Sequence, residues 1–195
     1  MADAAGSGPG PQNTAPPQRR RGTRPEETPG LAAAHYDRQE AARYTAQSAQ
    51  IQRELSRRAL QLLPLPPGGA PAPRVLADVG CGSGLSAEAL SAAGAAWVGF
   101  DLSAPMLRLA AAVPGSRGRL ALADMAQGLA LRPQSLDGAV SVSALQWLCH
   151  YPRPEAALCA FFGSLFTSLK PGACAALQVY VKGGVRGGGG GGGKE

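Results

Sequence analysis

The stretch "RVLADVGCGSGLS", residues 74–86, constrains this chain more than any other. An apolar run leads into the heptapeptide "DVGCGSG", Asp78 to Gly84, and a helix-forming segment follows. A strand, a glycine loop and a helix in that order form the nucleotide-binding corner of open α/β sheets. The glycine spacing then separates ligand classes. Dinucleotide folds carry G-x-G-x-x-G, whose third glycine lets helix and strand pack closely. Here the glycines are Gly80, Gly82 and Gly84, and Leu85 fills the slot of that third glycine. Asp78 stands just before the loop. A carboxylate there repels a pyrophosphate and suits a ligand that carries an ammonium group. At Gly80 and Gly82 the missing Cβ lets the backbone approach such a ligand closely.

The loop belongs to an alternation of strands and helices. "RVLADV", "AWVGFD", "RLALAD", "LDGAVSVSAL" and "ACAALQVYV" read as strands. "SGLSAEALSAAG" and "SAPMLRLAAAV" read as helices, the second capped by Ser103. "PRPEAALCAFFGSLFTSLKPG" contains a third helix, closed by Lys170-Pro171-Gly172. This order predicts β-α-β units and a parallel sheet covered on both faces. Ahead of it, His35 to Leu63 reads as a helix with Tyr44, Ser48, Ile51, Leu55, Arg58 and Leu62 on one face. "PLPPGGAPAP", Pro64 to Pro73, reads as a linker. Residues 1–30 and the glycine-rich residues 182–195 lack the apolar surface that offsets ordering entropy. They are expected to be disordered tails around one domain over 31–181.

Composition excludes several classes. The formal charge is +6, and much of the excess lies in "QRRRGTR", Gln18 to Arg24, as a solvated basic tail or an RNA-contacting one. Cys81, Cys149, Cys159 and Cys174 form no C-x-x-C pair, and His35 and His150 lie far apart, so no metal site is expected. The N-terminal "MADAAGSGPGPQ" lacks the apolar core of a signal peptide, and no apolar run is long enough to span a bilayer. The expectation is a reduced, intracellular chain with no membrane partner.

The predicted strands end in acids. Asp78 closes the first, Asp101 the second and Asp124 the third. Three such endings in succession are hard to assign to packing, because ligands of open α/β sheets bind at the carboxyl ends of strands. Asp101 is placed to accept both hydroxyls of a ribose. The fourth strand runs into "SVSALQWL", where Ser143, Ala144 and Gln146 are candidates to line the substrate end. Trp147 is either core or a surface on which a base stacks.

Asp-x-Gly-x-Gly-x-Gly resembles the first motif of the class I S-adenosylmethionine methyltransferases. More specifically, "YDRQEAARYTAQSAQIQ", "WVGFDLSAPML", "DMAQGLALRPQSLDGAVSVSALQWLC" and "FFGSLFTSLKPGACAALQVY" resemble the eukaryotic small-subunit ribosomal RNA (guanine-N7) methyltransferase family, roughly from Arg24 to Tyr180. The resemblance implies an α/β fold, a Rossmann-like class I methyltransferase sheet with helices on both faces. It implies cofactor contacts from Gly80, Cys81, Gly82, Asp101, Leu102, Asp124 and Met125, with Asp124 on the adenine amino group and Met125 on the ring. Tyr44 and its helix are expected to close over the cofactor, and Asp78, Gly84 and Ser143 complete the expected set. The implied cofactor is S-adenosyl-L-methionine. The implied partners are ribosomal RNA in the pre-ribosomal small subunit and a small zinc-binding activator protein. The implied location is the nucleus, in nucleolus or nucleoplasm, with the cytoplasm as a further site. Guanine N7 attacks a sulfonium methyl with its own lone pair, so no catalytic acid or base is expected. Methyltransferases of tRNA or small molecules, and a non-catalytic ribosome-assembly scaffold, are compatible with the same cofactor motifs. Class I methyltransferases typically have seven strands, whereas glycine follows the fifth here, so a sheet truncated after the fifth strand is expected, with poor stability and weak or no activity.

Arginines of a tail meet phosphates without reading sequence. Deleting Met1 to Arg24 is expected to lower RNA affinity mainly at low salt, measured as the salt slope of binding, and to leave cofactor affinity unchanged.

Overall fold

The aliphatic run "VLADV" becomes a strand buried on both faces, and the rest of the sheet forms around it. The computed structural model describes residues 25–27, 35–65 and 73–180. The linker and the two tails expected from the sequence lie almost wholly outside the described residues. Within the first tail, Pro25–Glu27 forms a 3-10 turn whose Glu26 is buried. Described, packed chain therefore begins before the domain boundary expected at residue 31.

The elements are α1 (Arg38–Leu62), β1 (Val75–Val79), α2 (Ala87–Ala92), β2 (Ala96–Asp101), α3 (Ala104–Ala110), β3 (Leu120–Leu122), β4 (Leu136–Val142), α4 (Pro154–Ser168) and β5 (Leu169–Gln178). Short 3-10 turns follow β3 at Met125–Gln127 and β4 at Leu145–His150. The strands are all parallel, in the order β3-β2-β1-β4-β5. The winding reverses between β1 and β4, and a crevice opens at the carboxyl ends of such a pair.

Alternate side chains of each strand feed two cores, as a sheet covered on both faces requires. On one face Ala77, Val79 and Phe100 pack with Phe161 and Leu165 of α4. On the other, Leu76, Trp97 and Val140 pack with Ala59, Ala87 and Leu90 of α1 and α2. Ser103 caps α3 as expected, its Oγ accepting from the Met106 N–H. No helix of the described residues is long and apolar enough to cross a membrane.

Two local expectations are corrected. The buried face of α1 is Ala41, Gln52, Ser56 and Ala59, rotated by about one residue from the apolar stripe read in the sequence. Ile51 and Leu62 of that stripe are exposed. Small and polar residues face inward because this helix covers a cleft as well as a core. In addition, α4 ends at Ser168, and Lys170-Pro171-Gly172 lies inside β5. Proline has no N–H for a ladder, and the pairing skips there, from Leu136 with Leu169 to Gly138 with Cys174. Lys170 pairs across this irregularity with Asp137 at 2.6 Å.

Phe161 is fully buried at the centre of the α4 layer. Phe161→Ala is expected to cost about 3–5 kcal/mol of stability, read as a lower urea midpoint with an unchanged slope.

Candidate functional site

The carboxyl ends of β1 to β4 open into one cleft, roofed by α1 and the segment that precedes it. Tyr44, Asp78, Gly80, Cys81, Gly82, Asp101, Leu102, Asp124, Met125 and Ser143 all line it. The structure thus brings together every expected cofactor residue except Gly84. Gly84 faces α3 instead: a Cβ there would lie 3.3 Å from the Ala110 backbone. It therefore does the helix-packing work of the third dinucleotide glycine, one residue earlier. Gln146, expected near the substrate end, is also outside the cleft and donates to the Ser143 carbonyl at 2.9 Å.

The loop is shaped by its hydrogen bonds. The N–H groups of Gly80 and Cys81 both donate to the Phe100 carbonyl, at 2.8 and 3.0 Å, which ties the loop to the end of β2. Gly80 has φ +75°, and a Cβ there would collide with that of Ala144. Neither the dihedral nor the space admits a side chain.

Each acid has a distinct setting. Asp101 accepts from Gly82 N–H through Oδ2 and from Ser103 N–H through Oδ1, both at 2.8 Å. Burial pushes its pKa up, against the pull of these bonds. Each oxygen keeps a lone pair for a ligand hydroxyl. Asp124 caps the following 3-10 turn, accepting from Ala126 N–H at 2.9 Å, and takes the Tyr151 hydroxyl on Oδ2 at 2.6 Å. Burial, then this carboxylate, raises the Tyr151 pKa. Asp78 is 2% exposed and accepts from the Ser86 hydroxyl. Burial pushes its pKa from 3.8 to about 7, the Ser86 bond opposing and the Asp101 charge adding. Burial likewise holds the Cys81 thiol well above its ordinary value, so it stays protonated and unreactive.

The cleft also has aromatic walls. Tyr36, Tyr44, Trp147 and Tyr151 line the cleft. Tyr36 makes an edge contact with Tyr44 at 5.3 Å and a tilted one with Trp147 at 6.1 Å. Trp147 is half-buried and lines the cleft. Sequence reasoning missed Tyr36, Gln52, Ser86 and Tyr151. For Tyr36 the signal was its place one residue ahead of Asp37, the N-cap of α1. For Gln52 and Ser86 no apolar pattern gives one.

The residues present fit an adenosyl cofactor with an amino-acid end: a glycine cradle that a Cβ would fill, an acid with two free lone pairs, and an acidic pocket at the switch point. A family model described as a methyltransferase domain matches residues 77–176. Fold and match together define a methyltransferase-domain protein. The chain is 51% identical over 151 residues to 18S rRNA (guanine-N(7))-methyltransferase RID2 of Arabidopsis thaliana, covering 74% of this chain and 51% of the relative. It is 45% identical over 166 residues to the 18S rRNA (guanine-N(7))-methyltransferase of Mus musculus, covering 82% and 57%. The chain belongs to the 18S rRNA (guanine-N(7))-methyltransferase family, and it spans about half the length of these curated relatives. A solved complex of the Haloferax volcanii Trm112 methyltransferase activator and its methyltransferase shares the fold, with TM-score 0.55 and 22% identity over 70% of this chain and 58% of that one.

The buried Asp78 gives a pH signature. Folded, it keeps its proton up to about pH 7; unfolded, only up to about 3.8. Its contribution to stability is therefore present below the unfolded value and lost as pH rises through the folded one. Wild type is expected to lose stability relative to Asp78→Asn between about pH 4 and pH 7, measured by urea unfolding across that range.

Proposed function

We propose that this chain is an S-adenosylmethionine-dependent methyltransferase that acts on guanine N7 of small-subunit ribosomal RNA. The observation that carries the reading is the convergence of the glycine loop with Asp78, Asp101 and Asp124 in one cleft at the switch point. The printed activity of the relatives supports the RNA substrate.

In this reading Gly80 and Gly82 let the backbone approach the cofactor, and Asp101 holds the ribose hydroxyls through its remaining lone pairs. Asp124 faces the adenine amino group, and Met125 packs on the ring. Asp78 sets a negative field at the amino-acid end. When bound, S-adenosylmethionine supplies a methyl group on a sulfonium, open to direct attack. Guanine N7 has an exposed lone pair and loses no proton before attack. The protein's task is then alignment and exclusion of water, which Tyr36, Tyr44 and Trp147 perform as walls around the incoming base. No general base is assigned to the cleft.

The activator in the Haloferax volcanii complex supports a small activator protein as partner. The family supports action on the pre-ribosomal small subunit in the nucleus, in nucleolus or nucleoplasm.

Incubating the chain and an activator with S-adenosylmethionine and purified small-subunit rRNA is expected to yield 7-methylguanine, detected by nucleoside mass spectrometry. Asp101→Ala is expected to weaken cofactor binding by roughly tenfold or more, because a charge-assisted contact is worth about 1.5–3 kcal/mol. Cofactor binding without transfer favours the scaffold reading. Transfer to tRNA but not rRNA moves the substrate class.

A further inference from the structure

We propose that Gln52 is a cofactor-binding residue whose side-chain carbonyl accepts a hydrogen bond from the ammonium at the amino-acid end of S-adenosylmethionine. The inference rests on the cofactor reading above and extends it to a residue on the roof of the cleft.

Hydrogen-bond direction carries the argument. The Ser143 backbone N–H can only donate, and it donates to Gln178 Oε1 at 3.0 Å. That fixes which amide atom of Gln178 is the oxygen. The Ser143 hydroxyl lies 3.0 Å from the same Oε1 and donates to it as well. With its proton committed, Ser143 Oγ accepts from Gln52 Nε2 at 3.1 Å. Gln52 Nε2 also donates to the Tyr44 hydroxyl at 3.0 Å. Both amide hydrogens of Gln52 are thereby engaged. Gln52 Oε1 then has no hydrogen-bond partner among the described residues. Gln52 is only 8% exposed and lines the cleft. This acceptor belongs to a side chain that lines the cleft, where a ligand donor can reach it.

Position selects the donor. Asp101 and Asp124 mark the ends of β2 and β3, where the nucleoside lies in this reading. The other end of the cofactor then falls over β1 and β4. Ser143 directly follows β4, and the neighbouring Ala144 abuts Gly80 of the loop. Gln52 is bonded to that same Ser143. An ammonium brings three N–H donors. Asp78 is already engaged by Ser86 and cannot satisfy all three alone. Ser143 itself has φ +57°, a left-handed conformation rare for serine. Such strain persists where surrounding bonds over-determine it, and here the relay does so.

The test compares two ligands by calorimetry: S-adenosylhomocysteine, and 5′-methylthioadenosine, which keeps the nucleoside and lacks the amino-acid end. In Gln52→Met, affinity for S-adenosylhomocysteine is expected to fall about tenfold, while that for methylthioadenosine changes less than twofold. Gln52→Glu, which keeps an acceptor, is expected to restore most of the loss. Gln52→Asn, with the carbonyl drawn back by one methylene, serves where the Met variant fails to fold, with the same split between ligands expected. Equal losses for both ligands show a merely structural role and overturn the proposal. No loss for either, or a raised KM for rRNA with cofactor affinity intact, also overturns it. Wild type that binds neither ligand overturns the cofactor reading itself, a result distinct from failure of the Gln52 assignment.

Discussion

The Asp101 carboxylate joins three parts of the fold through hydrogen bonds to backbone N–H groups. It ends β2, receives Gly82 N–H from the loop after β1, and receives Ser103 N–H from the start of α3. Ser103 in turn donates its hydroxyl to the Tyr36 carbonyl at 3.2 Å, which brings in the segment ahead of α1. One half-buried acid therefore sets the loop, the helix entry and the roof of the cleft. Charge-assisted bonds to backbone N–H groups are strong and directional, so the geometry tolerates little drift. The loop reaches the same place from its other side, through the Phe100 carbonyl.

The same acid makes the cleft electrostatically demanding. Asp78 is buried and Asp101 half-buried; burial raises the Asp78 pKa, and the Asp101 charge adds to that rise. Burying like charges without counter-ions is costly. The protein's own answer is partial: backbone donors for Asp101, the Ser86 hydroxyl for Asp78. Among the described residues no lysine or arginine lines the cleft. The field left over favours a cationic ligand. The proposed cofactor carries a sulfonium and an ammonium against one carboxylate, which is the sign the cleft requires.

Much of this was legible in the sequence, and the failures have physical causes. "RVLADV" and "AWVGFD" announced their strands because a sheet buried on both faces reads as continuous apolar sequence. The acids Asp78, Asp101 and Asp124 announced the cleft because an acid at a strand end has no packing reason. Helix α1 misled, because the inward face of a cleft-covering helix is partly polar and apolar periodicity then points elsewhere. Gly84 misled because positive φ and proximity to the loop look alike for all three glycines, while only the fold tells which one meets a helix. Lys170-Pro171-Gly172 reads as a helix stop, yet only pairing with β4 shows it as an irregularity inside a strand. Gln52 and Ser86 carried no signal, because a hydrogen-bonded polar residue far along the chain from its partner leaves no local pattern.

The relay through Ser143 has a consequence for the edge of the sheet. Gln178 is the last residue of β5, and it holds Ser143 three ways: its carbonyl and its Oε1 both accept from the Ser143 N–H, and Oε1 also accepts the hydroxyl. β5 borders the described sheet on that side. Edge strands are the elements whose order is set most by what lies beside them. A shift at the end of β5 would release Ser143 from its left-handed conformation, and with it the Gln52 and Tyr44 contacts that pin α1 over the cleft. The order of the outermost strand and the geometry of the cleft are therefore one property. Through Gln178 and Ser143, the end of β5 is tied to Gln52 and Tyr44 on the roof of the cleft.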